Sequence, residues 1–97
     1  MPNFKLEALQ RGETITTSGR GNSMLPLIKS GQKHVLVPIN WKECKLDDIV
    51  YCKVHGRFFT HLVKAIDANK GVQIGNNKGH INGWTKQVYG KVIEILN

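Results

Sequence analysis

Apolar and polar positions alternate along this chain with a period that changes several times, and each change marks an element. Phe4, Leu6, Ala8 and Leu9 sit among polar residues and predict one or two helical turns, which Arg11-Gly12 would end. Thr14-Ile15-Thr16-Thr17 is β-branched throughout and predicts a short strand. Lys33 to Pro38, carrying Val35, Leu36 and Val37, predicts a strand stopped by proline. Asn40 to Leu46 is polar and irregular, a loop in which Trp41 is expected to cover part of the core. Ile49 to Val54 and Arg57 to Ala65 flank the turn pair His55-Gly56 and so predict a hairpin. Gly71 to Ile74 is short and β-like, Gly75 to Gly83 reads as a loop rich in Gly and Asn, and Val88 to Leu96 reads as a closing strand broken by Gly90. About six short strands, one short N-terminal helix and ten glycines predict a mainly β, curled, largely antiparallel domain. With no repeat or linker in 97 residues, residues 1–97 are expected to form a single domain.

One stretch does not fit the alternation. Gly21-Asn22-Ser23-Met24-Leu25-Pro26 places a serine between a glycine and a proline, and it predicts a sharp bend. Leu25 to Lys29 would form one helical turn, closed by Ser30-Gly31. On such a bend a serine can serve as an ordinary helix cap, or its hydroxyl can face a substrate while nearby N–H groups cradle an oxyanion.

Composition narrows the field. Apolar content of 40% indicates a folded protein, and no apolar run approaches the roughly 20 residues a membrane-crossing helix needs. The N-terminal residues lack the pattern of a signal peptide, so the chain is read as cytoplasmic and not inserted in a membrane. Cys44 and Cys52 form no C-x-x-C pair and are expected to be reduced thiols, with no metal or cofactor implied. The net charge of +7 is spread over the chain, mostly as lysine, without a basic run or a recognition-helix pattern. A nucleic-acid partner is therefore not expected, and the oligomeric state is not legible.

A serine hydroxyl needs a base before it can attack. His34, His55, His61 and His80 are the candidate histidines. His34 lies beside a strand edge and His55 on a turn, so both are expected to be solvated, while His80 falls in the open Asn-rich loop. His61 lies mid-strand in Phe58-Phe59-Thr60-His61-Leu62-Val63, where packing gives no reason for an imidazole. Strand period puts His61, Val63 and Ala65 on one face and Leu62, Lys64 and Ile66 on the other, so Lys64 is a poor substitute base. A histidine so placed can be a satisfied structural residue or a general base.

The order of these features, over about Leu9 to Ile95, resembles the signal peptidase and LexA-type serine peptidase superfamily. The pattern G-x-S-M-x-P is met by Gly21-Asn22-Ser23-Met24-Leu25-Pro26. Gly31-Gln32 with Val35-Leu36-Val37-Pro38 follows, then Asp47-Asp48-Ile49-Val50, the base-bearing Thr60-His61-Leu62-Val63, Gly75-Asn76-Asn77 and Gly90-Lys91-Val92. The resemblance implies Ser23 as nucleophile and His61 as general base, with Gly21, Met24 and Asn76 as oxyanion or supporting residues, and Met24 and Leu25 lining the substrate cleft. It also implies an extended peptide of a partner protein, bound as an added β-strand, as substrate. No Ala-Gly pair precedes the serine, which points away from self-cleavage. Three positions depart from the pattern: Leu62 stands where an arginine usually follows the base, Gln32 where an acid follows glycine, and Asn76 where an aspartate can orient the histidine. Asn76, Asn77 and Asn82 can each hold a histidine tautomer without supplying charge, although the ordinary reading of such asparagines is as turn residues. The alternative expectation is a catalytically inactive domain that keeps the groove to bind peptide or protein partners.

Overall fold

The computed structural model describes residues 2–97 and shows a mainly β protein: seven antiparallel strands in one open sheet, with one short helix. Helix α1 (Phe4–Gln10) starts at Asn3, whose side chain accepts from the Leu6 N–H at 3.0 Å, and buries Ala8 and Leu9. The strands are β1 (Ile15–Thr17), β2 (His34–Pro38), β3 (Ile49–Val54), β4 (Arg57–Asp67), β5 (Gly71–Gly75), β6 (Ile81–Thr85) and β7 (Val88–Ile95). They lie in the order β1-β2-β7-β3-β4-β5-β6, which leaves β1 and β6 at the edges. The sheet curls so that the link after β6 returns to β3: Thr85 Oγ1 donates to the Lys53 carbonyl at 2.6 Å, and Lys53 N–H to the Gln87 carbonyl at 2.9 Å.

Alternation explains two of the cores. Val50, Cys52 and Val54 of β3 point to one side with Val63, Val72 and Ile74, and Trp41, in a short 3₁₀ turn over Trp41–Glu43, packs against them. Tyr51 points to the other side and meets Leu36 and Leu9, so α1 closes that face. Burial also keeps both cysteines as thiols: Cys44 is pushed up to about 11 and Cys52 to about 12. Among the described residues, no helix is long and apolar enough to cross a membrane.

Three expected elements differ. Residues 23–27 form turns rather than a helical turn: Met24 O accepts from both Leu27 N–H (2.8 Å) and Ile28 N–H (3.1 Å), and the Leu25–Pro26 bond is cis. Ile81 to Thr85, expected as part of a loop and its exit, is strand β6, pairing with β5 through Gln73↔Trp84 and Ile74↔Gly83. Gly90 does not break β7; it pairs with both Pro38 and Tyr51, and its missing Cβ gives Leu9 room, because a Cβ there would stand 2.9 Å from Leu9 Cδ1.

Candidate active site

Ser23 and His61 meet. The two residues are 38 apart in sequence, and Ser23 Oγ lies 2.9 Å from His61 Nε2. Local structure accounts for the approach from both sides. Met24 and Ile28 are buried against Leu62, which pins the serine bend onto the strand that carries the histidine. Asn77, in the β5–β6 turn, then ties the bend in place: its N–H donates to the Ser23 carbonyl at 3.0 Å and its side-chain amide to the Leu25 carbonyl at 2.9 Å. Gly21, at φ +114°, provides the left-handed backbone that turns the chain into the bend, and its N–H donates to Ser30 Oγ at 3.1 Å.

The ring is oriented from behind. Asn82 Oδ1, on β6, lies 2.7 Å from His61 Nδ1. A carbonyl oxygen accepts only from a protonated Nδ1, so Nε2 keeps its lone pair and the Ser23 hydroxyl donates to it. Phe59 stacks on the imidazole with centroids 5.0 Å apart. His61 is 7% exposed, and this burial pushes its pKa below the usual histidine value; the Asn82 bond works the other way, and nearby His80 adds a smaller lowering. The imidazole is therefore neutral at pH 7 and able to accept a proton.

The pair opens onto a groove of about 610 Å³, within the range of ligand sites. Gly21, Ser23 and Met24 line it from the bend, and the Arg57–His61 segment of β4 lines it from the sheet. Ser23 and Met24 N–H groups donate to no acceptor among the described residues, which leaves two donors at the bend for an oxyanion. Along the same segment, among the described residues, β4 has a strand partner on one side only. Residues Arg57 to His61 pair with β3, whereas β5 joins the other side at Leu62.

Other expected residues lie elsewhere. Asn76 does not reach the histidine; its Oδ1 accepts from Lys78 and His80 N–H groups at 2.8 and 3.0 Å, closing its own turn. Leu25 is not among the groove-lining residues, whereas Met24 does line the groove while also being buried in a cluster with Ile28 and Leu62. His34 is not solvated: it is 2% exposed, its Nδ1 donates to the Gln32 carbonyl at 3.2 Å, and its Nε2 has no partner among the described residues. His55, at φ +48° on the hairpin turn, and His80 are exposed. Sequence reasoning named Asn82 only as one of three asparagines, because the glycine beside it masked strand β6. It missed Phe59 and Arg57 in the groove, although strand period from His61 already placed both on the histidine's face.

Among the described residues no three His, Cys, Asp or Glu side chains converge to hold a metal ion. Compared with family models, curated proteins and solved structures, the chain finds no match.

Proposed function

We propose that this protein is a small serine endopeptidase of the signal peptidase and LexA type, using a Ser23/His61 pair to cut an extended segment of a partner protein. The observation that carries this reading is the 2.9 Å approach of Ser23 Oγ to a His61 Nε2 whose lone pair the Asn82 contact leaves free. In that arrangement Ser23 Oγ adds to the peptide carbonyl as its proton passes to Nε2. The imidazolium then returns the proton to the leaving amine, an acyl-enzyme remains on Oγ, and water attacks the ester by the same base assistance. The free N–H groups of Ser23 and Met24 supply the donors that an oxyanion needs. The unpartnered side of β4 at Arg57–His61 gives an extended peptide a strand to pair with.

A fluorophosphonate probe tests the reading directly. Labelling at Ser23 that disappears in Ser23→Ala and falls at least about 10²-fold in His61→Ala is the expected result, the lower end of what a positioned base contributes. Labelling unchanged in His61→Ala would remove the pair. One observation favours a second reading: Asn82 orients the ring but brings no negative charge, so a silent domain that binds peptides would keep the same geometry. Peptide affinity without any labelling is the result that selects it.

A further inference from the structure

We propose that the peptide taken by this groove is acidic, with a carboxylate about four residues from the scissile bond; this rests on the peptidase reading above. Three independent features of the groove lead there. The first is its charge. Lys5, Arg20, Lys29 and Arg57 line it, and no Asp or Glu does. None of the four forms an ion pair among the described residues, where the pairs found are Arg11–Glu13 and Lys91–Asp48. Lys5 is half-buried and held 4.8 Å above the Tyr51 ring. A cation withdrawn from water this way, without a counter-ion, is stabilised by any carboxylate that enters the groove.

The second feature is a row on one face of β4. Phe59 stacks on His61, and the Arg57 guanidinium lies 6.0 Å over the Phe59 ring. Base, aromatic and cation therefore follow one another at two-residue steps. From His61 to Arg57 the strand advances about 13 Å, and an extended peptide beside it covers that distance in about four residues. A substrate side chain two residues from the bond meets Phe59, and one four residues away meets Arg57.

The third feature is the strand edge itself. Among the described residues, no strand pairs with Arg57 to His61 on one side, so their backbone groups suit a peptide backbone, which has donors and acceptors in matching period. A phosphodiester offers acceptors only, and the cations here surround one groove instead of tracking along a surface. Guanidinium and carboxylate pair in a planar fork, which makes Arg57 the discriminating residue and the others a general attraction.

The test uses the full chain in two arms. In the cleavage arm, fluorogenic decapeptide libraries each fix Glu, Gln or Lys at one position within five residues of the cut. The expected result is kcat/KM at least 10-fold higher for Glu than Gln at one position about four residues from the bond, with Arg57→Glu reversing the preference toward Lys at that position. In the binding arm, Ser23→Ala is titrated with fluorescein-labelled Ala decapeptides carrying two Glu or two Gln. Tighter binding of the Glu peptide, lost in Arg57→Gln, is expected. Fluorophosphonate labelling of Ser23 with equal handling of Glu and Gln peptides overturns this inference while the peptidase reading stands. Glu-selective binding without labelling sustains the acidic-peptide part of the inference, read at Arg57, while the peptidase reading and the position relative to a cut fail. Displacement of the Glu peptide by a single-stranded decanucleotide at lower concentration than by unlabelled Glu peptide overturns it in favour of a nucleic-acid site.

Discussion

At the scale of single residues, the site depends on which nitrogen of His61 carries its proton. Ser23 can donate only to a bare nitrogen, and the 2.7 Å contact of Nδ1 with Asn82 Oδ1 leaves Nε2 bare. Removing that contact frees the ring to take the other tautomer. On the proposed peptidase reading, Asn82→Leu is therefore expected to lower kcat/KM about 10²-fold with little change in KM, within the span that positioned acid–base catalysis supplies. Asn82→Asp keeps the geometry and adds a negative charge beside Nδ1. Because burial now holds the His61 pKa below its usual value, the new charge raises it, and the acid limb of the kcat/KM–pH profile should move to higher pH. Measuring the two profiles side by side checks both statements. A profile unmoved by aspartate would mean that Asn82 does not touch the base during turnover.

At the scale of elements, β6 decides whether Asn82 arrives at all. Gly83 follows it at φ +140°, and a Cβ there would stand 2.8 Å from His55 Nε2 and 3.2 Å from Val54 Cγ1. The strand can pass the β3–β4 turn because position 83 is empty. Gly83→Ala should cost about 1–3 kcal/mol in urea unfolding and lower cleavage in folded protein by shifting Asn82; unchanged stability would show that the strand has slack. The same glycine explains what could be read from the sequence and what could not. The β3–β4 hairpin was legible because Ile49–Val54 and Arg57–Ala65 alternate strongly around His55-Gly56. The end of β4 at Asp67 was not, since pairing with β5 past the bulge at Lys64 extends the strand beyond its apolar run. Ile81 to Thr85 carries Gly and Asn in its middle, so local propensity says loop, and only pairing with β5 makes it a strand. Ser23 and His61 each stood out as a local anomaly, a bend and a mid-strand imidazole, but only the resemblance to the signal peptidase and LexA-type superfamily joined them as a pair. The choice of Asn82 over Asn76 was not, for it turns on where β6 lies in three dimensions.

At the scale of the whole molecule, two histidines are built into the fold in neutral form. His61 is buried beside Ser23, and His34 is buried at the first residue of β2 with its Nδ1 on the Gln32 carbonyl. Burial lowers both pKa values from the usual 6.5; for His34 the Gln32 bond opposes this and Lys5 adds to it. The sign follows from proton uptake. Above pH 6.5 neither the folded nor the unfolded chain protonates these rings, so stability is complete. As pH falls through 6.5 the unfolded chain gains protons that the folded chain refuses until its own lower values are reached, so stability falls over that window. Each ring can contribute a slope of at most about 1.4 kcal/mol per pH unit. Asp67 acts in a different range, because its backbone bonds from Asn69 and Lys70 hold it below 3.8. Urea unfolding between pH 8 and pH 5 therefore isolates the histidines. His34→Leu also removes an unpartnered buried nitrogen, whose burial costs about 1–3 kcal/mol. The variant should be no less stable than the parent at pH 5 and should unfold with a flatter pH dependence, while retaining the part due to His61. A slope identical to the parent's would show that His34 takes no share in the acid sensitivity of the fold.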